Sequence, residues 1–222
     1  MVADQANDAW VLGDDDAKPL PRGRHALSRE TVLASQRGRM LHASLVVTAE
    51  KGFSYVSVAD LVAEAGVSRK AFYQHFTDFE DCWFQAYTTA IDVTFAEMLR
   101  AVAQLPDQGN REIVLRASVD ASYRLAVANP AVSHAVHIDV LGAGPRGIEA
   151  NQKTVLHWAN MLLLSWHGES ASDASEEHKL AALAAVAILT GFARDYVAGG
   201  RASELPKISD RISDLMIRVL AE

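Results

Sequence analysis

The run from residue 57 to residue 76, SVADLVAEAGVSRKAFYQHF, constrains the fold more than any other part of this 222-residue chain. Ser57 with Asp60 three residues later has the form of a capping box, so a short helix is expected from about residue 58 through Glu64. Gly66 supplies a sharp turn, because glycine enters the left-handed region without steric cost. Ser68 then caps a second short helix through about Phe76. Val58, Leu61, Val62, Val67, Phe72 and Phe76 give this pair an apolar face. Two helices this short need the preceding helix to cover that face.

The flanking sequence supplies helices of that kind. Helix signals begin at Ser28, and Met40, Leu41, Leu45, Val46 and Ala49 recur at helical spacing until Gly52. Further helices are expected at roughly 78–104, 110–128 before Asn129-Pro130, and 131–140 before a Gly142–Gly147 loop. Others run at about 146–167, at 176–198 ending at Gly199-Gly200, and at 205–221. No alternating strand pattern and no internal repeat is visible. The expected fold class is all-α.

Net charge is −7, which argues at first against a polyanionic partner. Its distribution argues otherwise. Residues 1–16 carry five aspartates and no Lys or Arg, whereas residues 17–75 carry nine basic residues against four acidic ones, a local charge of +5. Residues 76–222 return to −7. A polyanion responds to local potential over about 8–10 Å in physiological salt, so the basic segment counts and the total does not. An acidic body would disfavour misoriented approach. The acidic start lacks the basic-then-apolar order of a signal peptide. No run approaches the roughly 18 uninterrupted apolar residues of a membrane span. The single cysteine, Cys82, excludes an internal disulfide and fits a reducing cytoplasm.

Helix, glycine turn, helix is the spacing of a helix-turn-helix, in which the second helix presents its N-terminal residues to the DNA major groove. Arg69 and Lys70 suit guanine O6 and N7, and Gln74 suits adenine N6 and N7, so these three are the expected base readers. Ser57, Ser68, Tyr73 and His75 are expected on phosphate, which positions the domain without reading sequence.

The match extends across Gln36–Tyr87, through Ala49-Glu50-Lys51-Gly52-Phe53, Ser57-Val58-Ala59-Asp60-Leu61, Ala65-Gly66-Val67-Ser68 and Phe72-Tyr73-Gln74-His75-Phe76. This stretch closely resembles the DNA-binding domain of the TetR family of bacterial transcription regulators. The resemblance implies a homodimeric all-helical protein, usually a repressor on an inverted-repeat operator. Its larger C-terminal domain would bind a small apolar or amphipathic effector that releases the DNA. The implied organisation is a flexible arm at 1–27, a three-helix DNA-binding head at 28–80, and a helical ligand-binding and dimerisation domain at 81–222. Val56 stands where the family often has Thr, and Phe79 where it often has Lys. These two departures motivate an alternative, a helical small-molecule-binding or scaffold protein with a weakened head.

Within the arm, Arg22, Gly23 and Arg24 resemble the core of an AT-hook and are expected to enter the minor groove. In the C-terminal half, Leu180, Ala184 and Ile188 are expected to form a four-helix dimer interface with Ile208, Ile212, Leu215, Met216 and Val219. Tyr123, His134, His137, Trp158 and Met161 are expected to line an effector pocket. His134 and His137 sit at i, i+3 with Asp139 and His157 nearby, which could form a metal set, but such spacing is common by chance and no cysteine joins them, so no metal and no cofactor is expected. No nucleophile elbow, P-loop, dinucleotide fingerprint or His-Glu-x-x-His occurs, so the reading is not an enzyme.

Overall fold

The computed structural model describes residues 29–221. The arm, with Arg22, Gly23 and Arg24, and the Ser28 cap lie outside the described residues. Ten α-helices follow in order, and no strand occurs among the described residues. Helix α1 (Arg29–Lys51) leads through a 3-10 turn to α2 (Val58–Ala65) and α3 (Arg69–Phe72). Helix α4 (Phe79–Ala103) then crosses from the head into the body, and α5 (Arg111–Ala128) returns along it. Helices α6 (Pro130–His134) and α7 (Val140–Gly142) flank a π-helical turn, Ala135–Asp139. Helix α8 (Gly144–Leu162) ends in a second π-helical turn, Leu163–His167, before α9 (Glu176–Ala198) and α10 (Leu205–Ala221).

Side-chain oxygens set five of the helix starts, those of α2, α3, α4, α5 and α9. Asp78 caps α4 by accepting from the Asp81 amide, Asn110 caps α5, and Ser175 caps α9. Two stretches differ from the expected layout. The helix expected at 131–140 is broken by the π-turn, and α8 begins at Gly144 within the expected loop. Pro145 explains that start, since its fixed φ and missing N–H suit the first turn of a helix. Gly147 explains the sharp α7–α8 junction. A Cβ there would stand 2.1 Å from the Val140 carbonyl oxygen, so only glycine permits the approach.

Two apolar cores result. The first gathers Met40, Leu41 and Leu45 of α1, Leu61 of α2, Phe72 of α3 and Trp83 and Tyr87 of α4, together with the α6–α7 segment. The second joins α5, α8, α9 and α10 around Leu115, Val119, Tyr123, Trp158, Leu189 and Met216. Phe95 packs against both. Helix α9, with a mean hydropathy of 1.5 in its most apolar window, is long and apolar enough to cross a membrane. Here Ala182, Ala185, Val186, Leu189 and Ala193 turn one face of it into the second core.

Candidate nucleic-acid interface and interior chamber

The helix-turn-helix is fastened from both ends. The Asp60 amide donates to Ser57 Oγ at 3.3 Å, and the Ser57 amide returns a bond to Asp60 Oδ2 at 2.9 Å, completing the capping box. Lys51 Nζ reaches Asp60 Oδ1 at 2.6 Å and ties α2 to the end of α1. The bond from Lys51, followed by those from Ser57, holds the Asp60 carboxyl well below the usual carboxylate range. At the other end of α2, Gly66 adopts φ 62°, ψ 40°, and its amide closes onto the last carbonyls of the helix. Arg39 Nη1 donates to the Ala65 carbonyl at 2.9 Å and anchors the turn to α1.

Helix α3 is shorter than its sequence suggests. Tyr73 takes ψ −3°, which converts the helix into tight turns. The bonds from Gln74 to the Ala71 carbonyl and from His75 to the Phe72 carbonyl then carry the chain to Phe76. Ser68 Oγ caps α3 by accepting from the Ala71 amide at 3.1 Å. Phe72 and Phe76 are buried beneath. Above them Ser68, Arg69, Lys70, Tyr73 and Gln74 are exposed, and Ser57 is exposed at the start of α2. Tyr73, 58% exposed, rests edge-on against Phe72 at 5.2 Å between ring centres.

His75 is placed differently from its neighbours. It is half-buried beside Phe76, and its Nε2 is enclosed without a hydrogen-bond partner. Burial, then the charge of Arg37, lowers its pKa, so the ring is neutral at pH 7. Val56 and Phe79 both pack on the first core, with Phe79 5.5 Å from Phe53. Helix α4 therefore opens on Asp78, Glu80 and Asp81, an acidic first turn.

Sequence reasoning missed Tyr55. It is 82% exposed and stands two residues before the Ser57 cap, at the end of the 3-10 turn. Its aromatic type in a buried-looking Phe-Ser-Tyr-Val run concealed it, and only the preceding Gly52, at φ 83°, hinted at a turn there.

In the body, a cavity of about 200 Å³ lies between α4, α5, α8, α9 and α10. Its walls are almost wholly apolar: Phe95, Met98, Leu115, Val119, Trp158, Met161 and Met216 among them. A smaller cavity of about 30 Å³ adjoins it, lined in part by Tyr123, His137 and Arg194. Trp158 and Leu189 are common to both. Of the expected pocket residues, Trp158 and Met161 face the larger cavity, and Tyr123, His137 and Trp158 face the smaller. His134 lines neither; its Nδ1 lies 3.0 Å from Asp139 Oδ2. His157 packs on the Phe95 ring instead. Among the described residues, no group of three or more His, Cys, Asp or Glu is placed to hold a metal ion. Cys82 is fully buried in the first core, and burial pushes its thiol up to about 12, so it stays protonated.

The residues expected at a dimer interface divide. Leu180 (69% exposed) and Leu215 (40%) are open, and Ala184, Ile188, Ile208 and Val219 are half-buried. Ile212 and Met216 correct the expectation, since both are buried within the protomer. They share a helical face with Leu205, Ser209 and Leu220, and α10 turns that face onto α5 and α9. Arg116 of α5 holds the register by donating to Asp214 at 2.5 Å. Leu183 and Phe192 of α9 are exposed in addition.

Known proteins share this architecture. The fatty acid degradation regulator FadR from Bacillus halodurans superposes with a TM-score of 0.70 at 15% identity, covering 82% of this chain and 94% of that one. The transcriptional regulator FadR from Bacillus subtilis, solved in complex with stearoyl-CoA, gives 0.69 at 14% identity, covering 80% and 96%. A transcriptional regulator from Rhodococcus sp. RHA1 gives 0.65 at 23% identity, covering 83% and 95%. At these identities the likeness establishes the fold. A comparison with curated proteins finds no match. Residues 40–82 match the bacterial regulatory proteins of the tetR family. That segment runs from the middle of α1 through the helix-turn-helix into the first turn of α4, so the similarity to that family lies in the N-terminal helices.

Proposed function

We propose that this protein is a ligand-responsive transcriptional repressor of the bacterial cytoplasm. It binds an inverted-repeat operator as a homodimer and leaves it when a small apolar or amphipathic effector fills the body. The observation that carries this reading is the exposed polar face of α3, with Arg69, Lys70 and Gln74 set on a doubly capped helix pair over a packed core. In this role Arg69, Lys70 and Gln74 read base edges, and exposed Ser57, Ser68 and Tyr73 meet phosphate, while the inward-set His75 supports them from below. Tyr55 joins them as an exposed aromatic contact. The effector occupies the 200 Å³ apolar cavity, and the bound stearoyl-CoA of the Bacillus subtilis regulator supports an amphipathic class. Two-fold pairing uses the α9 face of exposed Leu180 and half-buried Ala184 and Ile188, with Leu215 of α10.

The test is fluorescence anisotropy with DNA upstream of its own gene against a scrambled duplex of equal length. Wild-type protein binds the upstream DNA selectively. Arg69→Ala loses about 1–3 kcal/mol of that preference, concentrated at one base pair of each half-site, without a change in thermal stability. Equal binding of both duplexes by wild type and variant would overturn the reading.

A further inference from the structure

Arg194 is the one arginine on α9, and it lines the small cavity that adjoins the apolar chamber. Its Nε donates to the His137 carbonyl at 3.1 Å, and no carboxylate pairs with it among the described residues. A guanidinium offers five N–H donors, and this bond uses one. The charge is half-buried and uncompensated, and its effect registers on its neighbour: burial first, then Arg194, push the His137 imidazole down to about 4. Asn151 lines the same pocket. Donors at a cavity wall that no protein acceptor engages are available to an acceptor on a ligand. Trp158 and Leu189 join that pocket to a chamber whose walls hold no charged side chain.

Resting on the effector reading above, we propose that the effector is an aliphatic carboxylate: the chain fills the chamber, and the carboxylate binds the free edge of the Arg194 guanidinium beside Asn151. Charge-assisted and bidentate bonding between guanidinium and carboxylate is the strongest polar contact available to such a ligand. The small cavity matches that assignment in size, since 10–15 Å³ admits about one water-sized group and 30 Å³ admits a headgroup of two oxygens. The chamber itself supplies no selectivity for charge; Arg194 does.

Decanoate and 1-decanol, titrated separately into the full-length protein at pH 8 with tryptophan fluorescence as the readout, separate the two contributions. Wild type is expected to bind decanoate at least about tenfold more tightly than decanol. Arg194→Gln brings decanoate down to the decanol affinity and leaves decanol unchanged, whereas Arg194→Lys keeps most of the preference. Equal wild-type affinities, or a preference that survives Arg194→Gln, overturn the carboxylate site while the chamber reading stands. Binding of neither compound overturns both. If Arg194→Gln fails to fold, the wild-type ratio and the Arg194→Lys variant decide the matter.

Discussion

The two cores of this molecule are built to different standards. In the head, Phe53, Phe79, Phe84 and Trp83 meet at ring separations of 5.0–6.1 Å, and Trp83 stacks on Tyr87 at 5.6 Å. Aromatic rings in edge and offset contact fix one another's orientation and leave little free volume. In the body, aliphatic and methionine side chains surround a 200 Å³ void. Under the proposed function, a head that presents side chains to base edges needs a rigid base, and a body that admits a ligand needs space. The difference teaches that packing density here follows function rather than stability, and it can be broken by substitution.

The largest effect is expected from Trp83→Ala. Removing a fully buried indole from the aromatic cluster costs about 3–5 kcal/mol, and a melt followed by circular dichroism should show the head lost at ordinary temperature. Trp83→Phe should cost far less, because the Trp83 Nε1 has no hydrogen-bond partner to forfeit. A Trp83→Ala protein with wild-type stability would mean that the head core is not close-packed.

Small-to-large changes sharpen the contrast. Ala90 is fully buried in the first core, and Ala90→Leu should cost about 1–3 kcal/mol through overpacking. Val119 is as buried but faces the void, so Val119→Phe should change stability by about 1 kcal/mol or less and abolish decanoate binding. Equal destabilisation by both would show that the chamber closes in solution.

The same contrast decides what was legible in the sequence. Ser57, Asp60, Gly66 and Ser68 are local devices, each acting within four residues, so the head could be read directly from residue order. Ile212 and Met216 could not. Helical spacing marks an apolar face but carries nothing about which neighbour covers it, and α10 spends that face on its own protomer. The chamber is an absence of atoms among distant helices, which no periodicity encodes. The π-turns at 135–139 and 163–167 likewise depend on packing, since their residues have ordinary helical propensities.

The smallest expected effect tests the seam between the two regions. His137 sits in the π-turn that packs on α1 and α4 on one side and α9 on the other. Its folded pKa of about 4 lies below the roughly 6.5 of an unfolded chain. Between those values the unfolded chain binds more protons, so this contribution is complete above pH 6.5 and is lost as pH falls toward 4. His42 and His75 in the head, and His167 beyond the chamber, are also lowered, chiefly by burial, and add to the same slope. Asp81 is held low by the Thr77 amide and loses its share only below the ordinary carboxylate range, while Asp139, raised by burial, works in the opposite direction. Melting temperatures measured from pH 7.5 to 4.5 should therefore fall for the wild type and fall less steeply for His137→Gln. Identical slopes would place the His137 ring in water, and a hydrated ring there would mean that the small cavity beside Arg194 is already open.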